Sequence, residues 1–231
     1  MSTITVVCLG DSTTAGTPLF KSPIESPPAG EGDEQSQFAY WLQRAHGEWR
    51  VLNRGVNGER SDEIERRFGR DVVENSPQVV VIIAGVNDVY QGRDAAEVIG
   101  RLRSMYDLAS AAGIRVVAGT IVPYNTATAG QNTQMHAVNA WIVAEARRDL
   151  NLVAVDTRGA VAAADNPDRL AGSPDGLHPD IDGYRRMAEV LEPAIVLASE
   201  RCERATRTER GNGARASERV GSPGAKPPDQ E

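Results

Sequence analysis

Cysteine is scarce in this chain. Two of its 231 residues are cysteine, Cys8 and Cys202. Cys8 sits in the first apolar run and Cys202 in a polar tail. That placement reads as one buried thiol and one incidental thiol, and it excludes a disulfide framework. Aromatic residues are also few: three tryptophans, five tyrosines and three phenylalanines. Long hydrophobic runs are lacking, since no stretch approaches the roughly 18 apolar residues of a membrane span. The first nine residues, Met1 to Leu9, carry no basic region and no small-residue cleavage site, so no signal peptide is expected. A cytoplasmic location follows as the expectation. Positive charge falls short as well. The 25 Lys and Arg against 32 Asp and Glu leave a net charge of -7. Such a surface argues against nucleic acid or an anionic membrane as partner. Nothing in the sequence reads out an oligomeric state.

What is present is ordinary globular material, 40% hydrophobic and 25% charged, enough for one sizeable core. Short apolar runs occur at Thr3 to Leu9, Arg50 to Asn53, Gln78 to Ala84, Ile114 to Val122 and Leu152 to Val155. They are β-branched and continuous, as expected for parallel strands covered on both faces. Amphipathic segments lie between them. Phe38 to Ala45 is one. Ser61 can cap a second, which carries Ile64, Phe68 and Val72 at a spacing of four. Asp94 to Ala112 is a third, stopped by Gly113. Asn132 to Leu150 is a fourth. Asp182 to about Ser199 is a fifth, with Asp182 as a possible cap and Pro193 expected to kink or interrupt it. Alternating strands and helices predict one α/β domain over residues 1–200. Two segments fall outside its core. Residues 17–36 contain Pro18, Pro23, Pro27 and Pro28 and read as a surface insertion. Residues 201–231 are poor in apolar side chains and read as a disordered tail.

The chemistry-bearing residues follow the strands. Gly10-Asp11-Ser12 comes directly after the first, where a parallel sheet binds its ligands. A serine there is exposed at a helix N-terminus. Taken alone, the triplet fits a helix cap or a phosphate-binding loop as well as a nucleophile. Asp175-Gly176-Leu177-His178-Pro179 supplies what a serine nucleophile needs. A hydroxyl requires a base near neutrality, and an imidazole is held in one tautomer by a carboxylate. Asp175 and His178 lie three residues apart, so one turn can pair them. His46 and His136 read as structural. Attack on an ester also creates an oxyanion, which needs preorganised N–H donors. The loops Asn53 to Gly58 and Gly85 to Asp88 can offer them, although both are also plain turn sequences. Parallel strands bring all these loops to one sheet edge, and convergence of the full set carries the argument.

In this arrangement the chain resembles the SGNH (GDSL) hydrolases. Leu9-Gly10-Asp11-Ser12-Thr13 is similar to the first block of that family, with Thr13 in place of the usual leucine. Asn53 to Glu59 is similar to the second block, Gly85-Val86-Asn87-Asp88 to the third and Asp175 to Pro179 to the fifth. The resemblance spans about residues 3 to 198. It implies a three-layer α/β/α flavodoxin-like fold with a five-stranded parallel sheet in the order 2-1-3-4-5. It implies ester hydrolysis without metal or cofactor. Ser12, Asp175 and His178 would form the triad, and Ser12, Gly58 and Asn87 the oxyanion hole. Val89, Tyr90, Tyr124 and Asn125, which follow the third and fourth strands, would line a pocket for a small-molecule ester. The alternative is a non-catalytic flavodoxin-like module binding a flavin or nucleotide at the same edge. That reading leaves Asn87, Asp175 and His178 unexplained and has few rings to sandwich a flavin. A third thought is a cation held by Asp175, His178, Asp180 and Asp182. It lacks the rest of a calcium-loop pattern, so no metal is expected.

Overall fold

The structure is a computed structural model that describes residues 3–218, with side chains described as far as Cys202. Its frame is β1 (Thr5–Gly10), which is followed by the single-turn helix α1 (Ser12–Ala15). The Pro-rich segment holds a small hairpin, β2 (Phe20–Lys21) against β3 (Glu31–Gly32). Next come α2 (Phe38–Ala45), β4 (Arg50–Gly55), α3 (Ser61–Arg66) and α4 (Phe68–Asp71). Then follow β5 (Val79–Ile83), α5 (Val86–Tyr90), α6 (Ala95–Ala111) and β6 (Arg115–Gly119). The C-terminal part adds α7 (Ala129–Ala146), β7 (Leu152–Val155), α8 (Thr157–Val161), the hairpin β8 (Ala162–Ala163) with β9 (Asn166–Leu170), and α9 (Ile181–Glu218).

β1, β4, β5, β6 and β7 form one parallel sheet in the order β4-β1-β5-β6-β7. Counted in sheet order this is the expected 2-1-3-4-5. Every residue of β5 is buried, because helices cover both faces. The two-residue alternation of a strand sends side chains to two cores. Val7, Leu9, Val80 and Ile82 pack with Ile64, Phe68, Leu102, Met105 and Ile142 of α3, α4, α6 and α7. Val6, Cys8, Val79 and Val81 pack with Phe38, Leu42, Tyr184, Leu191 and Ile195 of α2 and α9. Each fully buried aliphatic side chain contributes about 1.5–3 kcal/mol, so both faces drive the same arrangement.

Local signals set most helix ends. Asp94 and Glu97 form a capping box at the start of α6, and Thr128 and Gln131 form one at α7. Capping by Thr128 starts α7 three residues earlier than expected, and it ends at Ala146 rather than Leu150. Four other expectations differ from the structure. Ser61 is the first residue of α3, and Arg60 stands at the cap. The Ser61 side chain goes elsewhere, to Asp88, because a buried carboxylate there needs a donor. At α9 the cap is Asp180, not Asp182: its Oδ1 accepts the Gly183 N–H at 2.7 Å. Pro193 does not interrupt α9, since Leu191, Ala194, Ile195 and Ala198 on either side are buried against the sheet. The helix continues past Ser199 to Glu218, so the tail expected from Arg201 is helical for its first part. Arg, Glu and Ala there are good helix formers. Residues 219–231 lie outside the described residues. No helix among the described residues is long and apolar enough to cross a membrane.

The insertion is more ordered than a plain loop. Phe20 is buried. Ser22 Oγ donates to the Gly55 carbonyl at 2.6 Å, and Glu25 Oε1 accepts the Asn57 N–H at 2.9 Å. The segment braces the loop that follows β4.

Candidate active site

Ser12 heads α1 at the carboxyl end of β1, which lies between β4 and β5 in the sheet. Asp11 caps the turn, its Oδ1 accepting the Thr13 N–H at 2.9 Å. The strand must turn sharply here, and a Cβ on Gly10 would collide with Thr14 Oγ1 and the Ile83 carbonyl. Glycine is therefore the residue that lets β1 pass that close to its neighbours. Asp11 is 1% exposed, and burial pushes its carboxyl up to about 7 against the pull of the Thr13 N–H. Its Oδ2 has no partner within the protein.

The Asp175 loop organises itself. Asp175 Oδ1 accepts the N–H groups of Leu177 and His178, both at 2.9 Å. Asp175 Oδ2 lies 2.7 Å from His178 Nδ1. Ser173 Oγ donates to the His178 carbonyl at 2.6 Å and accepts the Gly176 N–H at 2.8 Å. Burial pushes the Asp175 carboxyl up, but the imidazole and the two backbone N–H groups outweigh it and hold the group below its usual range. The other edge of the imidazole meets the turn after β1: His178 Nε2 is 2.9 Å from Ser12 Oγ. Residues 166 apart in sequence thus form one chain, Ser12–His178–Asp175.

The loops after β4 and β5 face the same edge. Gly58 adopts a positive φ of 79°, a conformation that glycine accepts at little cost. Asn87, on the first turn of α5, donates one amide hydrogen to the Glu59 carbonyl at 2.9 Å. An amide nitrogen carries two hydrogens, so the second remains for the cleft. Asp88 is fully buried, and it accepts the Ser61 N–H at 2.7 Å and the Ser61 hydroxyl at 2.8 Å. The two loops are thereby tied twice.

Ser12, Thr13, Asn57, Val86, Asn87, Tyr90, Tyr124, Leu177 and His178 line a cleft of about 160 Å³. Tyr90 and Tyr124 meet edge to face at 5.8 Å. The rim carries Tyr90, 57% exposed, and Leu177, 38% exposed. Two expected pocket residues lie elsewhere. Val89 is buried in the core, because two residues, about half a turn of helix, carry it to the opposite face from Asn87. Asn125 pins the Asp175 loop: its N–H donates to the Gly176 carbonyl at 2.7 Å, and its Oδ1 accepts the Leu170 N–H at 2.9 Å. Asn57, Val86 and Leu177 are lining residues to which the sequence reading assigns no role, although each stands inside one of the motif blocks. Each neighbours a residue with an expected role (Gly58, Asn87 or His178), and that adjacency is its only signal. The remaining histidines are remote. His46 stacks on Trp49 and reaches Glu192 at 2.8 Å. His136 pairs with Asp168 at 2.7 Å. Asp180 and Asp182 take no part in a ligand cluster with Asp175: Asp180 caps α9, and Asp182 lies near Arg185 at 3.5 Å.

The fold recurs in solved structures. A GDSL-like lipase from Bacteroides thetaiotaomicron VPI-5482 shares 24% identity over 84% of this chain and 88% of its own, with a TM-score of 0.65. A member of the lipolytic protein G-D-S-L family from Veillonella parvula DSM 2008 shares 21% over 80% and 94%, at 0.64. A catalytic mutant of Axe2, an acetylxylan esterase from Geobacillus stearothermophilus, shares 20% over 83% and 94%, at 0.63. A comparison with curated protein sequences finds no match. Residues 8–186 match the GDSL-like Lipase/Acylhydrolase family. That match covers most of the chain and every loop described above, and the chain belongs to this family of ester hydrolases.

Proposed function

We propose that the chain cleaves small-molecule carboxylic esters through an acyl-enzyme formed on Ser12. The observation that carries this reading is the unbroken chain from Ser12 Oγ to His178 at 2.9 Å and on to Asp175 at 2.7 Å. An ionised Asp175 accepts a hydrogen from Nδ1, which leaves the Nε2 lone pair facing the serine. His178 takes the Ser12 proton as Oγ attacks the ester carbonyl. The oxyanion is held by the N–H groups of Ser12 and Gly58 and by the free hydrogen of Asn87 Nδ2. Each such donor stabilises the transition state by about 2.7–4 kcal/mol. His178 then passes its proton to the leaving alcohol. A water deprotonated by His178 attacks the acyl-enzyme, and Ser12 regains its proton as the acid departs.

Tyr90, Tyr124 and Leu177 border the cleft and would contact the substrate. The domain is read as 1–200, with 17–36 as an insertion that supports the Gly58 loop. A flavin- or nucleotide-binding module is disfavoured, because the hydroxyl such a loop would offer a phosphate already faces His178.

Ser12→Ala should reduce turnover of a short p-nitrophenyl ester by at least about 10⁴-fold. Undiminished turnover in that variant would overturn the reading.

A further inference from the structure

Arg67 stands at the break between α3 and α4, where the chain leaves helical geometry with φ -98° and ψ 4°. The break turns its side chain inward, and only 8% of it is exposed. The guanidinium is engaged along its whole edge. Nη2 donates to the Gly10 carbonyl at 2.8 Å, two residues before Ser12. Nη1 donates to the Arg54 carbonyl at 2.8 Å, near the end of β4, and to Asp71 Oδ2 at 2.9 Å. Nε donates to Glu59 Oε2 at 2.6 Å. Glu59 is the residue after Gly58, and its own carbonyl accepts Asn87 Nδ2 at 2.9 Å. One rigid cation therefore touches the strand that delivers Ser12 and the strand that leads to the Gly58 loop. It also holds the residue on which Gly58 and Asn87 both depend.

We propose that Arg67 is a positioning residue for the oxyanion site. Resting on the reaction assigned above, it sets the distance between the Ser12 turn and the Gly58 and Asn87 donors. The physical reason is geometric. Donors act on the transition state only if held where charge develops, and a shift of about 1 Å can cost about 100-fold. The planar fork of arginine reaches four acceptors from three separate nitrogens, a span that the three donors on the one nitrogen of lysine cannot cover. Burying the charge is tolerable because Glu59 and Asp71 neutralise it. Arg67 touches no lining residue of the cleft, so its loss should leave ground-state binding alone.

The test is Arg67→Lys in the full chain. Its kcat and KM are measured on a short p-nitrophenyl ester, together with the inhibition constant of an alkyl boronic acid. Such an acid adds to Ser12 Oγ and places a boron-bound oxygen among the donors. The expected result is a fall of about 10–100-fold in kcat/KM, with KM within twofold. Boronic-acid affinity should weaken by the same factor. A folded variant that keeps its kcat, or one whose loss lies only in KM, overturns the proposal. If Arg67→Lys does not fold, Glu59→Gln decides. It keeps the shape of the loop and weakens the Arg67–Glu59 pair, through which Arg67 holds the residue next to Gly58 and Asn87. A several-fold loss in kcat with unchanged KM supports the proposal, and unchanged kcat overturns it. Dependence on Ser12 is read separately: an active Ser12→Ala variant defeats the reaction itself, whereas a Ser12-dependent enzyme indifferent to both substitutions defeats only the role of Arg67.

Discussion

The two halves of the candidate site are built in different ways. The proposed acid–base half, Asp175 with His178, is a local structure on a partly exposed loop. Its hydrogen bonds span two to five residues, apart from the contact to Ser12 and the Asn125 pin. The proposed donor half around Gly58 and Asn87 is assembled from distant, buried groups. Ser61 meets Asp88 across 27 residues, and Arg67 meets Gly10 across 57. The difference has a physical basis. An imidazole needs one carboxylate beside it, which a single turn supplies. Oxyanion donors must converge from several strands, and only tertiary packing can hold them. The acid–base half should therefore carry chemistry with little bearing on stability, while the donor half should carry both.

Asp175→Asn is expected to show the largest effect. An amide opposite Nδ1 favours the tautomer whose Nε2–H points at Ser12, which disables the base. A loss in kcat of about 10⁴-fold is expected, with a urea midpoint near that of the parent protein. A large drop in the midpoint would break the comparison. Ser61→Ala is its opposite. It removes the hydroxyl donor from the buried Asp88 carboxylate, at a cost of about 1–3 kcal/mol in stability. The accompanying loss in kcat should stay below about 10-fold. Equilibrium urea unfolding and steady-state kinetics on the same sample separate the two quantities.

The smallest effect on turnover is expected at Asp11, beside Ser12, where the change shows in the pH dependence of stability. Burial pushes its carboxyl from 3.8 to about 7 in the folded chain. The folded state therefore holds this proton more tightly than the unfolded state. Stability from the group is fully present below about pH 4 and is lost as pH rises through 7. Asp11→Asn keeps an oxygen to cap Thr13 and removes the titration. Its stability relative to the parent should rise between pH 5 and pH 8. The ceiling is on the order of 4 kcal/mol, one pKa unit being worth about 1.36 kcal/mol. A difference that stays flat across that range would show that Asp11 does not titrate there.

Much of this protein is legible in its amino-acid sequence. The continuous β-branched runs locate all five strands, because helices on both faces of a parallel sheet require apolar side chains on both. The Gly10-Asp11-Ser12, Gly85 to Asp88 and Asp175 to Pro179 blocks mark three edge loops, because each carries its own turn chemistry. Less legible are features whose partners lie far along the chain. Ser61 has the composition of a cap, and only the buried Asp88 explains why it serves another residue. Asn125 reads as a pocket residue from its place after the fourth strand, since nothing local shows that it holds Gly176 and Leu170.

The sequence by itself determined the strand pattern, the helix faces and the residue types that esterase chemistry needs, because those follow from periodicity and from local turn geometry. Only the tertiary structure decided that His178 reaches Ser12, that Val89 turns into the core and that Arg67 gathers Gly10, Arg54 and Glu59. Each of these depends on which distant side chains share a buried space, and a linear pattern of hydrophobic and polar residues does not specify that.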